Sequence, residues 1–413
     1  MSNLSATELD AADPLASYRD RFLPAPGVAA YMDGNSLGRP LAASVDRVNA
    51  VMREQWGERL IRGWDEGWLE LPVRIGDELG RVALGAASGQ TVIGDSTTVL
   101  LYKVIRAAIE LAQATDGPGR NEIVIDRDDF PTDRYLVESI AAERGLNVRW
   151  IDEGDVTPER LAEVLSERTA IVVLSAIAYR SGFLAELPAI TELVHDVGAL
   201  ILWDLCHSVG VVQHELDELG VDFAVGCSYK YLNGGPGAPA FAYVNAAHLE
   251  AFRQPIAGWL GSAHPFEMPQ GYQPGVGMRR VLSGTPPILG MVGLQDTLAL
   301  IDEAGLSGIR AKSIALTEFA IALTAELLPD AVLATPRDPA RRGSHITLDH
   351  PAFEALMPRL WKRGVIPDFR RPTGIRLGLS PLSTSFAEVE LGVRAIAEEL
   401  AAARTSAPQQ PRG

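Results

Sequence analysis

The sequence predicts an α/β fold in two parts. A large domain is built on a mostly parallel, seven-stranded sheet covered by helices, and a smaller α+β domain follows at the carboxyl end. Three observations carry the prediction. From about residue 70, short runs that are apolar throughout alternate with helical stretches, as strands buried on both faces do. After Pro286-Pro287 the rhythm changes to two long helical spans and then a strand–helix–strand–helix unit. The 413 residues, 47% hydrophobic and 22% charged, suffice for two cores in an ordered globular chain.

Taken in order, a short strand over 29–32 runs into Asp33-Gly34-Asn35-Ser36-Leu37-Gly38-Arg39-Pro40, which is turn chemistry closed by a proline able to open the next helix. Residues 41–56 are helical in pattern, and Trp56, Trp64 and Trp68 punctuate a glycine-containing stretch. Strands are expected over 91–93, 122–125, 148–151, 170–175, 199–203, 223–227 and 240–244. Helices are expected over 99–113, 133–144, 158–167 and 187–197, the third opened by a Thr157 cap and Pro158. Long helices follow over 288–304 and 309–328. The last unit reads as strand 344–348, helix 351–363, strand 374–379 and helix 386–402. The division expected is an N-terminal segment 1–65 shared with the small domain and the entrance to the inter-strand crevice, a large sheet domain 66–290, a small domain 291–405 and a disordered tail 406–413.

A net charge of −16 without a basic patch excludes a nucleic-acid partner. Residues 1–13 are polar and acidic, unlike a signal peptide, and no apolar run approaches the roughly 20 residues of a membrane span. A cytoplasmic protein without membrane contact is expected. Cys206 and Cys227 sit in strand-like contexts and read as buried, reduced thiols. The seven histidines show no metal-binding spacing, so no metal is expected.

The chemistry concentrates at strand ends, where ligands of such sheets bind. Residues 199–203 form a buried strand closed by Asp204, with His207 three residues on. The strand over 223–227 delivers Lys230 into the glycine-rich segment Asn233-Gly234-Gly235-Pro236-Gly237. A lysine held at a strand end suits a nucleophilic amine and general base, and desolvation would lower its pKa for that work. Gly94-Asp95-Ser96-Thr97-Thr98 joins a strand to a helix, so amides and hydroxyls there can hold an anion. Phe130 is placed to stack on a flat ring, with Asp133 beside it. An ordinary capping segment, a core Phe and an N-cap Asp are the plainer readings of these residues taken singly.

The order of a strand-ending Asp204 and a later Ser228-Tyr229-Lys230 is that of pyridoxal-phosphate enzymes of fold type I. The set Asp33-Gly34-Asn35-Ser36-Leu37-Gly38, Phe130-Pro131-Thr132-Asp133, Trp203-Asp204-Leu205-Cys206-His207-Ser208 and Cys227-Ser228-Tyr229-Lys230-Tyr231-Leu232-Asn233 resembles kynureninase over roughly residues 10–400. Gly258-Trp259, Gly284-Thr285-Pro286-Pro287, Arg342-Gly343-Ser344-His345 and Ile375-Arg376 extend the match. The resemblance implies pyridoxal 5′-phosphate held as a Schiff base by Lys230, with Asp204 on the ring nitrogen and Phe130 stacked on the ring. His207 and Ser175 would lie against the cofactor, and Ser96, Thr97 and Tyr229 would hold the phosphate. It implies a homodimer with the active site at the subunit interface, Trp259 and Thr285 reaching the phosphate from the neighbouring subunit. Arg376 would clamp the substrate carboxylate, with Asn35, Ser36 and Trp64 near the substrate. Lys230, Tyr229 as acid and Asp204 would carry the catalysis.

The reaction implied is hydrolysis of L-kynurenine, or of 3-hydroxykynurenine, to anthranilate or its hydroxy form and L-alanine, in tryptophan catabolism. Ala176 to Arg180, Leu260 to Ser262 and Ser383 depart from the usual pattern near the substrate's far end. Another fold type I lyase or transaminase-like enzyme acting on a related γ-keto amino acid is the alternative. A binding protein without activity is a third reading, opposed by Lys230 and Asp204 standing together.

Overall fold

The computed structural model describes residues 5–406. The first strand, β1 (Ala30–Met32), leaves the N-terminal segment for the smaller of two sheets. The larger sheet holds β2 (Thr91–Gly94), β3 (Glu122–Asp126), β4 (Asn147–Ile151), β5 (Thr169–Ser175), β6 (Leu200–Asp204), β7 (Phe223–Gly226) and β8 (Ala240–Val244). Its seven strands run in the order β2-β8-β7-β6-β5-β3-β4. The strands from β4 to β7 pair in parallel, and β8 pairs antiparallel with both β7 and β2. The sheet is thus mostly parallel, with an antiparallel edge.

Burial on both faces explains why these strands read as continuous apolar runs. Ile201 and Trp203 face one core with Val172, Leu174 and Val124, while Leu202 faces the other with Ile171, Val173, Ile123 and Ile125. The helices Leu71–Leu79, Leu187–Asp196 and Leu294–Ala304 close the first face; Thr97–Asp116 and Pro131–Arg144 close the second. Trp203 is wholly buried, and its indole N–H donates to Thr191 Oγ1 at 3.2 Å, so its one polar group goes inside satisfied.

The second sheet holds β9 (Val332–Leu333), β10 (His345–Asp349), β11 (Val365–Arg370) and β12 (Gly374–Gly378), ordered β1-β11-β12-β10-β9. β1 joins it in parallel, Ala30 opposite Val365. Ala6, Ala30 and Met32 therefore share one core with Ile346, Ile375, Leu377 and the buried face of the helix Phe386–Ser406.

Four local expectations are corrected. The helix read over 288–304 is two, Ile288–Met291 and Leu294–Ala304, with Gly293 at the start of the second and its carbonyl also accepting from Ser44 Oγ at 2.8 Å. The helix read over 158–167 ends at Ala162. The one read over 41–56 is regular only over Ala42–Ala50 and continues in wider turns. Strands β9 and β11 were not expected. The tail read over 406–413 lies outside the described residues except for Ser406, which is helical. Among the described residues no helix is long and apolar enough to cross a membrane, and no group of three or more His, Cys, Asp or Glu side chains is placed to hold a metal.

Candidate active site

The carboxyl ends of β5, β6 and β7 lie side by side. Their register sets Ser175 opposite Asp204 and Asp204 opposite Val225. Beyond Gly226 the chain enters the lysine segment, which several backbone constraints hold. Ser228 Oγ donates to the Pro239 carbonyl at 2.5 Å, Gly234 N to Ser228 O at 2.8 Å, and Asn233 N to Lys230 O at 2.9 Å. Asn233 takes a left-handed φ of 53° to close the turn. From the other end of the chain, Gly38 N donates to Tyr229 O at 2.8 Å. A Cβ at Gly38 would lie 2.4 Å from Lys230 O and 2.2 Å from Asn233 Oδ1, so only glycine permits this approach.

These elements enclose a cavity of about 220 Å³. Every residue the sequence assigned to the cofactor within one subunit lines it: Ser96, Thr97, Phe130, Asp133, Ser175, Asp204, His207, Tyr229 and Lys230. Ser96 caps the helix Thr97–Asp116, and the first-turn amides of that helix have no acceptor within it. The preceding turn is pinned by Lys103, which is buried, pairs with Asp95 at 2.6 Å and donates to Val281 O at 2.7 Å. Phe130 meets Tyr179 edge to face at 5.4 Å, and its ring centroid lies 6.0 Å from Lys230 Nζ.

Charge in the cavity is dominated by buried carboxyl groups. Burial pushes Asp204 up, opposed first by the Cys206 side chain, then by Lys230 and by the bond from Cys206 N at 2.6 Å. Burial, then Asp204 and Asp129, hold Asp133 well above the usual carboxylate range, and neither of its oxygens has a hydrogen-bond partner among the described residues. His207 is held well below its usual value by burial and then by Lys230, so it is a neutral acceptor 3.3 Å from the lysine amine. Lys230 corrects the expectation of a lowered pKa. Burial lowers it, but Cys227, Cys206 and Asp204 together raise it further, and the net direction is upward.

Arg376, on β12, brings the small sheet to this site. Fully buried, it pairs with Asp368 at 2.6 Å and donates to Tyr179 O at 2.6 Å and Ser36 Oγ at 2.9 Å. With the Asn35 amide turned toward it, Oδ1 accepts from Arg376 Nε at 2.8 Å. Asn35, Ser36 and Arg376 thus meet as one polar cluster. Trp64, Trp259 and Thr285 do not line the lysine cavity. Trp64 packs edge-on against Trp68 at 5.6 Å, Trp259 is exposed and edge-on to Phe266 at 5.8 Å, and Thr285 is exposed.

The sequence reading missed three residues. Asp129 accepts from Ser175 Oγ at 2.6 Å, Asp368 holds Arg376, and Cys206 lines the cavity. The two cysteines are free thiols just past their strands, Cys227 N donating to Cys206 Sγ at 3.2 Å. Asp129 lies three residues past β3, in a run of acids that offers no signal of its own.

Known proteins resemble this chain in sequence and fold. The profile of the kynureninase C-terminal domain matches residues 309–396, and that of Cys/Met metabolism PLP-dependent enzymes matches residues 96–238. The kynureninase of Pseudomonas fluorescens is 40% identical over 397 residues, spanning 95% of this chain and 94% of its own length. That of Burkholderia pseudomallei (strain K96243) is 40% identical over 409 residues, spanning 98% and 97%. Among solved structures, a cystine C–S lyase in complex with cysteine persulfide superposes with a TM-score of 0.78 at 18% identity, over 89% of this chain and 97% of that one. The cysteine desulfurase of Thermococcus onnurineus NA1 does so at 0.74 and 18%, over 97% and 100%. At that identity the two structures show the shared fold, that of fold type I enzymes.

Proposed function

The chain belongs to the kynureninase family, and on that premise we propose how its own residues carry the hydrolysis of L-kynurenine to anthranilate and L-alanine with pyridoxal phosphate. The observation that carries this reading is the cavity itself. Its donors and acceptors suit a phosphorylated aromatic aldehyde. Helix-start amides and the hydroxyls of Ser96 and Thr97 stand at one end, and a single lysine amine stands among them. The Asp133 carboxyl is buried without a hydrogen-bond partner among the described residues, and the Asp204 carboxyl acts on it.

Pyridoxal phosphate, when bound, supplies an electron sink conjugated to the substrate's α-carbon. Ser96, Thr97 and the first amides of the helix Thr97–Asp116 would hold its phosphate, and Phe130 would pack on its ring. Asp204 would serve the ring nitrogen, and Asp133 would stand by as a second acid. Lys230 would hold the cofactor through its amine and move the proton of the substrate α-carbon as a general base. Tyr229 adjoins it, and burial foremost keeps its phenol protonated, able to donate when the product leaves. Arg376 takes the substrate carboxylate with its planar fork, Asn35 and Ser36 alongside it and Asp368 behind it. Trp64, which packs on Trp68 outside the lysine cavity, is assigned to the substrate's aromatic end by the family resemblance alone.

We assign the working unit as a homodimer that brings Trp259 and Thr285 to the partner's phosphate site. In support, neither lines its own chain's cavity, and exposed Trp259 packs on exposed Phe266 and shares a surface depression with Met268 and Tyr272. We keep segments 66–290 and 291–405 as large and small domains, with the helix Leu294–Ala304 packed on the large sheet and 1–65 shared between the large core through Leu15, Phe22, Leu41 and Val51 and the small one through Ala6, Ala30 and Met32, and place the enzyme in the cytoplasm. The test of the cofactor assignment is colour. The purified protein should carry a yellow chromophore that borohydride fixes covalently on Lys230; protein that stays colourless after incubation with pyridoxal phosphate overturns the reading.

A further inference from the structure

We propose that Asp129 is a positioning residue of the catalytic cavity, one that takes the only hydroxyl proton of Ser175 and leaves that oxygen facing the cofactor as an acceptor alone. The proposal rests on the reading of Ser175 as a neighbour of the cofactor. β3 ends at Asp126, and the turn after it carries Asp129 over the end of the adjacent β5. There Asp129 Oδ1 accepts from Ser175 Oγ at 2.6 Å and from Phe130 N at 2.7 Å, while Oδ2 accepts from Ser175 N at 3.2 Å. Ser175 is in turn the register partner of Asp204. Asp129, Ser175 and Asp204 therefore stand in a row across three neighbouring strand ends, the last of them serving the ring nitrogen.

A hydroxyl has one hydrogen and two lone pairs, and an ionised carboxylate only accepts. While Asp129 is charged, the Ser175 hydrogen is committed to it. What Ser175 offers the lysine cavity is then lone pairs, which hold a donor and repel an acceptor. The same carboxylate fixes the backbone of Phe130, so one buried group sets two of the cavity walls. Ser175 and Asp129 also line a second cavity of about 460 Å³ behind the first, which places Asp129 on the partition between them.

The groups facing Asp129 set when it ionises. Asp126 and Asp128 lie in its own turn, Asp133 on the next helix, Asp204 at the end of β6, and Lys230 beyond β7. Asp155, Arg180 and Arg371 face it across the second cavity. Burial foremost, and also Asp204, push Asp129 up to about 6 against the donors Ser175 and Phe130. Protonation of Asp129 in that range frees the Ser175 hydrogen to turn into the cavity.

The experiment compares holoenzyme carrying Asp129→Asn, Ser175→Ala or both with the wild type. The readouts are kcat/KM for L-kynurenine against pH, and the affinity of the apoprotein for pyridoxal phosphate. Each single variant should lose about 10- to 100-fold in kcat/KM, the range of a hydrogen bond to a charged group. The double variant should be no worse than the weaker single, and both singles should lose the acid limb near pH 6. Additive losses, or an acid limb unchanged in both singles, overturn the proposal. If Asp129→Asn does not fold, as judged by its melting curve, Ser175→Ala decides, and wild-type behaviour there overturns it. If the wild type does not hydrolyse kynurenine, the functional reading fails by itself. The cofactor affinities still decide this proposal: equal, non-additive weakening supports it and unchanged affinity overturns it.

Discussion

The amine of Lys230 lies 3.3 Å from Nε2 of His207, and the imidazole is neutral because burial and the lysine's own charge hold it so. The lysine thus keeps a hydrogen-bond acceptor, while Cys227, Cys206 and Asp204 are the groups that raise its pKa against burial. Lys230→Ala should leave the fold intact, since the backbone of the segment is held by Ser228, Asn233 and Gly38. It should lower kcat by about 10²-fold at least. Steady-state rates with a melting curve as control check this; a variant that folds and turns over near the wild-type rate would remove Lys230 from the chemistry.

Gly38→Ala should damage the site from a distance. The new methyl would press on Lys230 O and Asn233, both parts of a tight turn, so the turn must shift. The expected cost is about 1–3 kcal/mol of stability, with a lower kcat as Lys230 moves. Thermal melting and kinetics on the same preparation measure both.

Arg376 and Asp368 form a buried pair, so the substitutions at Arg376 should separate. Arg376→Leu strands the Asp368 charge and should cost about 3–5 kcal/mol. Arg376→Lys keeps the charge but not the fork, and should raise KM more than it lowers kcat. Denaturant melts and Michaelis curves distinguish the two; an unchanged KM in Arg376→Lys would place the substrate carboxylate elsewhere.

Far from the cavity, Asp222 takes His195 Nε2 at 2.9 Å, His248 Nε2 at 2.7 Å and Ile201 N at 2.8 Å. Burial raises Asp222, but His195, His248 and Ile201 bring it down overall, so its stabilisation is present above its unfolded value near 3.8 and is lost as pH falls through the lower folded one. His195 is raised, chiefly by Asp222, so its share is full below its unfolded value near 6.5 and is lost as pH rises through the higher folded one. The clasp is strongest between those limits. Asp222→Asn should cost most near pH 5, about 2 kcal/mol, and less at pH 8. A melting-temperature difference that does not vary with pH would contradict the clasp.

Much of this was legible because burial leaves a mark on composition. A strand covered on both faces has no solvent side to carry polar residues, so β3, β5, β6 and β7 showed as apolar runs with their polar residues just past the end. Asp204, Lys230 and Ser96 were found that way. β11 was not, because Pro367, Asp368 and Arg370 break its pattern; two of these face the site or its rim, and Asp368 was lost with them. The pairing of Ala30 with Val365 has no local signature at all. Asp129 sits among Asp126, Asp128 and Asp133, where a run of acids reads as a solvated turn, and only the folded backbone shows it sealed against Ser175. The direction of the Lys230 shift was misjudged for a related reason. Burial alone was weighed, whereas Cys227, Cys206 and Asp204 come from separate points in the chain to outweigh it.

Incubating the purified holoenzyme with L-kynurenine, with no amino acceptor present, and measuring both products decides whether the enzyme is a hydrolase. Anthranilate and L-alanine are expected in equal amounts, formed continuously and abolished in Lys230→Ala. Absence of anthranilate, or turnover that requires a keto-acid acceptor, would contradict hydrolysis.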